Sequence, residues 1–243
     1  ARSAPQQFPE DALQEIRQER MLSAEQDMTF PPCQIEIVVG VEGRLFVVLP
    51  TGVKTDLPFA CNAPFIQDPA RIKIKDPETS PTNRWLLERA GKLAADVMLA
   101  WLASSDLHPE ERAAAYDILP DVDRGDNDLD GVCGAIVEKS FEDAIQGHDL
   151  LLTDNIALSG KDGAVVLPRQ LFEVWPQEQA TALFDEKGRI PVSKYILERN
   201  IIKLKHWNAV EEIDPQAILD ALQTKHFPKP NTWHQLLCLW SYI

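Results

Sequence analysis

Arg71, Lys73 and Lys75 occupy alternate positions of Arg71-Ile-Lys-Ile-Lys75, between Pro69 and Pro77, in a chain with 38 Asp and Glu against 24 Lys and Arg. Cations spaced in this way could stabilise a terminal phosphate through charge-assisted hydrogen bonds. The same alternation also fits a strand with a solvated cationic face and with Ile72 and Ile74 turned inward. A second stretch, Asp126-Asn-Asp-Leu-Asp-Gly131, meets the opening of a calcium loop, in which alternating oxygens face the ion and a glycine permits the sharp bend. The closing bidentate acid is missing, because the twelfth position is Val137 and Glu138 falls one residue late. The plainer reading is a solvated acidic loop leading into a helix N-terminus.

Other chemistry is sparse. His234 and Cys238 lie four apart on an expected helix, which offers a metal only two ligands. His108, His148, His206 and His226 are scattered, and Asp185-Glu-Lys187 before Gly188 reads as a turn rather than a nuclease fragment. No Gly-x-Ser-x-Gly, Walker loop or Gly-x-Gly-x-x-Gly is present, so the sequence assigns no catalytic residue and no metal ligand.

The elements that must position the cations are legible as periodicities. Leu57-Pro-Phe-Ala-Cys-Asn-Ala-Pro-Phe-Ile66 reads as a short apolar strand, and a Pro/Asp-punctuated loop carries the three cations. From Asn83 to Leu102 apolar residues recur at three- and four-residue steps, the mark of a helix with one buried stripe. Ser80 and Thr82 are available to cap it, and Pro81 suits its first turn. Upstream, Cys33–Val41 and Arg44–Leu49 read as a hairpin around Glu42-Gly43, followed by a turn at Pro50-Thr-Gly52. Residues 9–22 predict a short helix with Leu13, Ile16 and Met21 on one face. Pro109–Tyr116 and Val132 to about Ile145 predict two more helices, and His148–Thr153 and Ala164–Leu167 predict short strands.

The resulting expectation is an α/β fold of the mixed α+β kind, with a β-hairpin and small sheet packed with long amphipathic helices. Its parts are an N-terminal helical arm (1–30), an α/β domain (31–119) and a second, smaller α/β subdomain (120–243). A formal charge of -14 disfavours general nucleic-acid binding, which rests on cations replacing counterions along phosphates. Cys33, Cys61, Cys133 and Cys238 form no CxxC pair and read as reduced, mostly buried thiols. With no apolar run of about 20 residues and no signal peptide, the expected location is cytoplasmic, without a membrane partner. The chain lacks an initiating Met and ends in an apolar helical stretch, where Leu236, Leu237, Leu239, Trp240 and Ile243 need a packing surface. Either its own domain supplies that surface, or the chain is cut from a longer protein.

Leu57–Ile66, Asp68-Pro-Ala-Arg71 and Pro81-Thr-Asn-Arg-Trp-Leu-Leu87 together resemble the segment that follows the ATPase domain in sacsin-like and bacterial chaperone-like members of the GHKL superfamily. Tyr116–Pro120 and Leu150–Thr153 are similar to what comes next in those proteins. The resemblance covers residues 10–170 and is most specific between 57 and 87. It implies a transducer-like middle module that docks on ATP held by a preceding domain, since the superfamily's Asp-x-Gly-x-Gly loop is absent from this chain. On that basis Arg71, and after it Lys73, are the cofactor-contacting candidates. ATP and magnesium belong to the missing domain, and no cofactor is expected on this chain alone. The implied partners are the chain's own ATPase domain, a client or partner protein, and a second copy in the full-length protein. The alternative is a self-contained protein-binding module regulated by calcium at Asp126, Asp128 and Asp130.

Overall fold

The computed structural model describes residues 1–22, 29–122, 128–176, 179–180, 188–224 and 229–242. In chain order its elements are α1 (Glu10–Glu19), β1 (Glu36–Val39), β2 (Arg44–Val47), β3 (Leu49–Lys54), β4 (Phe59–Asn62), α2 (Pro81–Ala103), α3 (Pro109–Ala113) and α4 (Leu129–Ile145). They continue with β5 (Leu151–Leu152), β6 (Leu158–Ser159), β7 (Ala164–Val165), α5 (Arg169–Phe172), β8 (Ile190–Pro191), α6 (Glu198–His206), α7 (Pro215–Thr224) and α8 (Trp233–Tyr242). The fold is mixed α+β, as expected. It divides into two compact units, residues 1–101 with 115–146 and residues 102–114 with 147–243.

In the first unit the sheet order is β1-β4-β2-β3. β4 pairs antiparallel with β1, Ile37 opposite Cys61, and parallel with β2, Leu45 opposite Cys61. This corrects the expected hairpin of 33–41 with 44–49, because β4 lies between its two arms. Phe59, Ala60 and Cys61 are all buried, and a strand without a polar face is stable only in a sheet interior. Gly43 is no free turn either, since a Cβ there would sit 2.3 Å from the Thr55 carbonyl oxygen. The tight reversal falls instead at Val48, which adopts φ 64, and Pro50–Gly52 lie within β3. β3 is an edge strand, where a proline's missing N–H is tolerated. The opposite edge is covered by residues 1–6, where the Ser3 amide donates to Ile35 and Gln6 and Cys33 exchange a pair of bonds.

α1 buries Ala12, Glu15 and Ile16, whereas Met21 lies beyond the helix and is 94% exposed. The expected face of Leu13, Ile16 and Met21 is thus displaced toward a stripe that includes a carboxylate. α2 buries Leu86, Leu87, Ala90, Ala94, Met98 and Leu102, the stripe its periodicity predicts. α4 passes close to α2 at Gly91, where a Cβ would lie 2.3 Å from the Val137 carbonyl oxygen and 3.0 Å from the Phe141 nitrogen. The Ser140 hydroxyl donates to the Glu88 carbonyl at 2.6 Å beside this contact. Gly91→Ala is therefore expected to destabilise the chain by about 1–3 kcal/mol, because backbone displacement outweighs the roughly 1 kcal/mol helix-propensity gain. Thermal unfolding checks this, and an unchanged or higher melting temperature would show that the helices separate freely.

In the second unit β5 pairs antiparallel with β6 and β7 parallel with β8, and a Thr153–Val192 bridge joins the two ladders. Val165, Leu167, Leu171, Trp175, Ile213 and Ile218 belong to its core. α8 lays Cys238 and Leu239 against that core and leaves Trp233, Leu237 and Trp240 exposed. Among the described residues no helix is long and apolar enough to cross a membrane.

Candidate functional site

The Arg71–Lys75 segment is a loop rather than a strand. A bridge between Gln67 and Ile74 closes it, and Ile74 is buried while Ile72 is 61% exposed, so only one of the two isoleucines turns inward. Asp68-Pro-Ala-Arg71 forms a turn, with the Arg71 amide donating to the Asp68 carbonyl at 2.9 Å. Asp68 Oδ1 then accepts the Ile72 and Lys73 amides at 2.9 and 3.0 Å, which closes the turn at the tip. Arg71 has φ 56, an unfavourable backbone region for a side chain with a Cβ. The Gly52 amide of β3 donates to the Ile72 carbonyl and ties the tip to the sheet edge. Arg71 and Lys73 are exposed, and among the described residues neither forms an ion pair.

Asn83 holds the base of the loop. Fully buried in the first turn of α2, it accepts the Ile66 amide through Oδ1 and donates through Nδ2 to the Ile66 and Lys75 carbonyls, each at 2.8 Å. Ser80 caps α2 by accepting the Asn83 amide at 3.2 Å, and Pro81 has no N–H to satisfy. The remaining first-turn donor, the Thr82 amide, reaches Glu15 Oε2 at 3.0 Å; the Ser80 hydroxyl donates to the same oxygen at 2.9 Å.

Lys75 does not join the cationic tip. Its Nζ lies 2.9 Å from both Glu15 Oε1 and Glu19 Oε1. Burial alone pushes the Glu15 carboxyl up, but the bonds from Lys75, Thr82 and Ser80 outweigh it and hold the group below its ordinary value of 4.5. Glu19 first and then Glu15 raise the Lys75 ammonium above its ordinary 10.5. A depressed carboxylate contributes stability that is present above its unfolded pKa and lost as pH falls through the folded one. Urea midpoints are therefore expected to fall as pH drops below about 4.5, less steeply in Glu15→Gln, and an identical acid limb in the variant would refute the assignment. Raised Lys75 works in the opposite sense, its contribution being lost as pH climbs past 10.5.

The acidic stretch has structural duties. α4 begins at Leu129, so Asp130 and Gly131 are helical, and Asp128 is the N-cap, its Oδ1 accepting the Gly131 amide at 2.8 Å. Asp130 Oδ2 accepts the Lys54 amide at 3.2 Å. Asp126, Asp185–Lys187, His226 and Ile243 lie outside the described residues. Cys238 Sγ is 3.7 Å from His234 Nε2, and Glu173 Oε2 is 3.9 Å from that same nitrogen. Among the described residues no group of three His, Cys, Asp or Glu could hold a metal. Burial pushes the Cys61 and Cys133 thiols up to about 12 and raises Cys33, so these three are protonated at neutral pH and poor nucleophiles.

A crevice of about 700 Å³ in the second unit opens past the carboxyl ends of β7 and β8, beside Leu167–Arg169 and Val192–Lys194. On its walls Arg169 donates to the Ile196 carbonyl and pairs with Glu198, and Glu212 pairs with Lys205. Arg71 and Lys73, exposed and without an ion pair among the described residues, make the 66–75 loop the better-placed cationic site. The sequence alone gives Glu15 and Asp68 no role and marks Asn83 only as a helix start; a carboxylate on an apolar helical stripe and an Asp-Pro turn are the signals it carries for them. Comparison with protein-family models, curated proteins and solved structures finds no match to this chain.

Proposed function

We propose that the chain is a non-catalytic, transducer-like middle module of a chaperone-like GHKL ATPase. The observation that carries this reading is Arg71, exposed and without an ion pair among the described residues, at the tip of a loop whose two feet hang from one buried residue of α2. A guanidinium presented in this way can meet a terminal phosphate from outside, while a separate domain holds the rest of the nucleotide with its magnesium. Lys73 adds a second cation beside it. Because Asn83 belongs to the first turn of α2, a displacement of the loop is imposed on a 23-residue helix with a buried stripe. Nucleotide state is thereby converted into movement of packed structure, the form in which a client or partner protein can sense it. The exposed Trp233, Leu237 and Trp240 supply apolar surface of the kind a partner protein covers. The reading is tested by ATP turnover of the whole protein carrying its nucleotide domain, wild type against Arg71→Ala. This chain alone is expected to hydrolyse no ATP.

A further inference from the structure

Ser80, Thr82 and Asn83 are each 0% exposed, and Glu15 beside them is 6% exposed. Polar groups buried to this degree persist only when bonded, and here the bonds form one connected path. Glu15 Oε2 accepts from the Ser80 hydroxyl, whose oxygen accepts the Asn83 amide; the Asn83 side chain holds Ile66 and Lys75, the two feet of the loop. A second branch leaves the same carboxylate, with Oε1 accepting from the Lys75 ammonium. Thr82 adds a third tie, its amide to Glu15 and its hydroxyl to the Ala12 carbonyl. A single side chain of α1 thus caps α2, supports the Asn83 hub and, together with Glu19, pairs one of the loop's three cations.

We infer that Glu15 is the positioning residue of the Arg71 loop, so that the seating of α1 sets both the rigidity of the loop and the number of cations it presents. With α1 seated, Arg71 and Lys73 are the cations of a pinned loop that form no ion pair among the described residues. With α1 lifted, Lys75 is released as a third cation, and the feet lose the support that reaches them through Ser80 and Asn83. Both branches end on carboxylates of α1, the first on Glu15 and the second on Glu15 and Glu19, so lifting α1 releases both together. α1 becomes the handle by which another protein surface regulates the loop. The inference rests on the reading above only for what the loop touches; the fastening belongs to this chain.

Hydrogen–deuterium exchange of the chain tests it. Glu15→Gln is expected to speed exchange of the Ile72, Lys73 and Lys75 amides by about tenfold or more and to leave the β1 and β4 amides unchanged. Glu19→Gln removes a Lys75 bond but keeps the cap of α2, and should change the loop by less than about threefold. Unaltered loop exchange in Glu15→Gln, or an equal rise in loop and sheet, overturns the inference. If Glu15→Gln does not fold, Lys75→Met decides: faster exchange confined to residues 66–75 supports the proposal, and an unmoved loop overturns it. The two readings fail separately. Normal turnover in Arg71→Ala with a loosened loop in Glu15→Gln refutes the nucleotide contact alone, whereas an unmoved loop refutes Glu15 whatever Arg71 does.

Discussion

Arg71→Ala is expected to lower ATP turnover of the whole protein by about a hundredfold or more, with nucleotide affinity changed by less than roughly threefold. The split follows from the proposed placement of the guanidinium at a terminal phosphate. A donor aimed at charge that develops on the transferring phosphoryl group stabilises the transition state more than the ground state, so its loss reduces turnover rather than binding. The guanidinium is exposed and forms no ion pair among the described residues, so its removal leaves no buried partner unsatisfied. The melting temperature of Arg71→Ala should therefore match wild type, which separates a chemical defect from unfolding. Arg71→Gly sharpens the control. At φ 56 a glycine relieves the backbone, so this variant should be as stable as the parent or slightly more so, and just as slow. Lys73→Ala, one cation further along, should reduce turnover by less. Full turnover in Arg71→Ala would remove the residue from the mechanism.

What the sequence discloses and what it withholds divide along the distance over which the determining contact acts. α2 is legible because Leu86, Leu87, Ala90, Ala94, Met98 and Leu102 recur at helical spacing and its start carries Ser80 and Pro81, all within one stretch of chain. The sheet order is not legible. Insertion of β4 between β1 and β2 depends on Phe59, Ala60 and Cys61 finding neighbours on both sides, and local alternation in 33–49 is equally satisfied by a plain hairpin. The cationic segment misleads for the opposite reason. Its strict alternation imitates a strand, yet Asp68-Pro69 imposes a turn that places Arg71 in the left-handed region and exposes Ile72. The withdrawal of Lys75 from the island could not be read locally, since it is paired from Glu15 and Glu19, 60 and 56 residues away. The acidic stretch lies between these cases: its missing twelfth ligand already favoured a helix start, and Asp128 is that start.

Asn83 shows how much of the site depends on a residue that touches no ligand. Asn83→Ala removes the partner of three main-chain groups at once, the Ile66 amide and the Ile66 and Lys75 carbonyls, in a position with 0% exposure. Each stranded group costs about 1–3 kcal/mol when water cannot replace the bond; partial relaxation of the loop feet reduces the sum. The expected loss is about 3–5 kcal/mol, or roughly 10 °C in melting temperature for a chain of this size. Asn83→Asp should fare no better at neutral pH. A carboxylate can still accept the Ile66 amide, but it faces two carbonyl oxygens to which it has no proton to donate. Loop and stability are thereby linked through one amide: the same Nδ2 bonds both feet of the loop that carries Arg71, at Ile66 and Lys75. Urea unfolding of both variants checks the prediction, and a loss below about 1 kcal/mol in either would show that the loop feet find other partners and that α2 does not hold them.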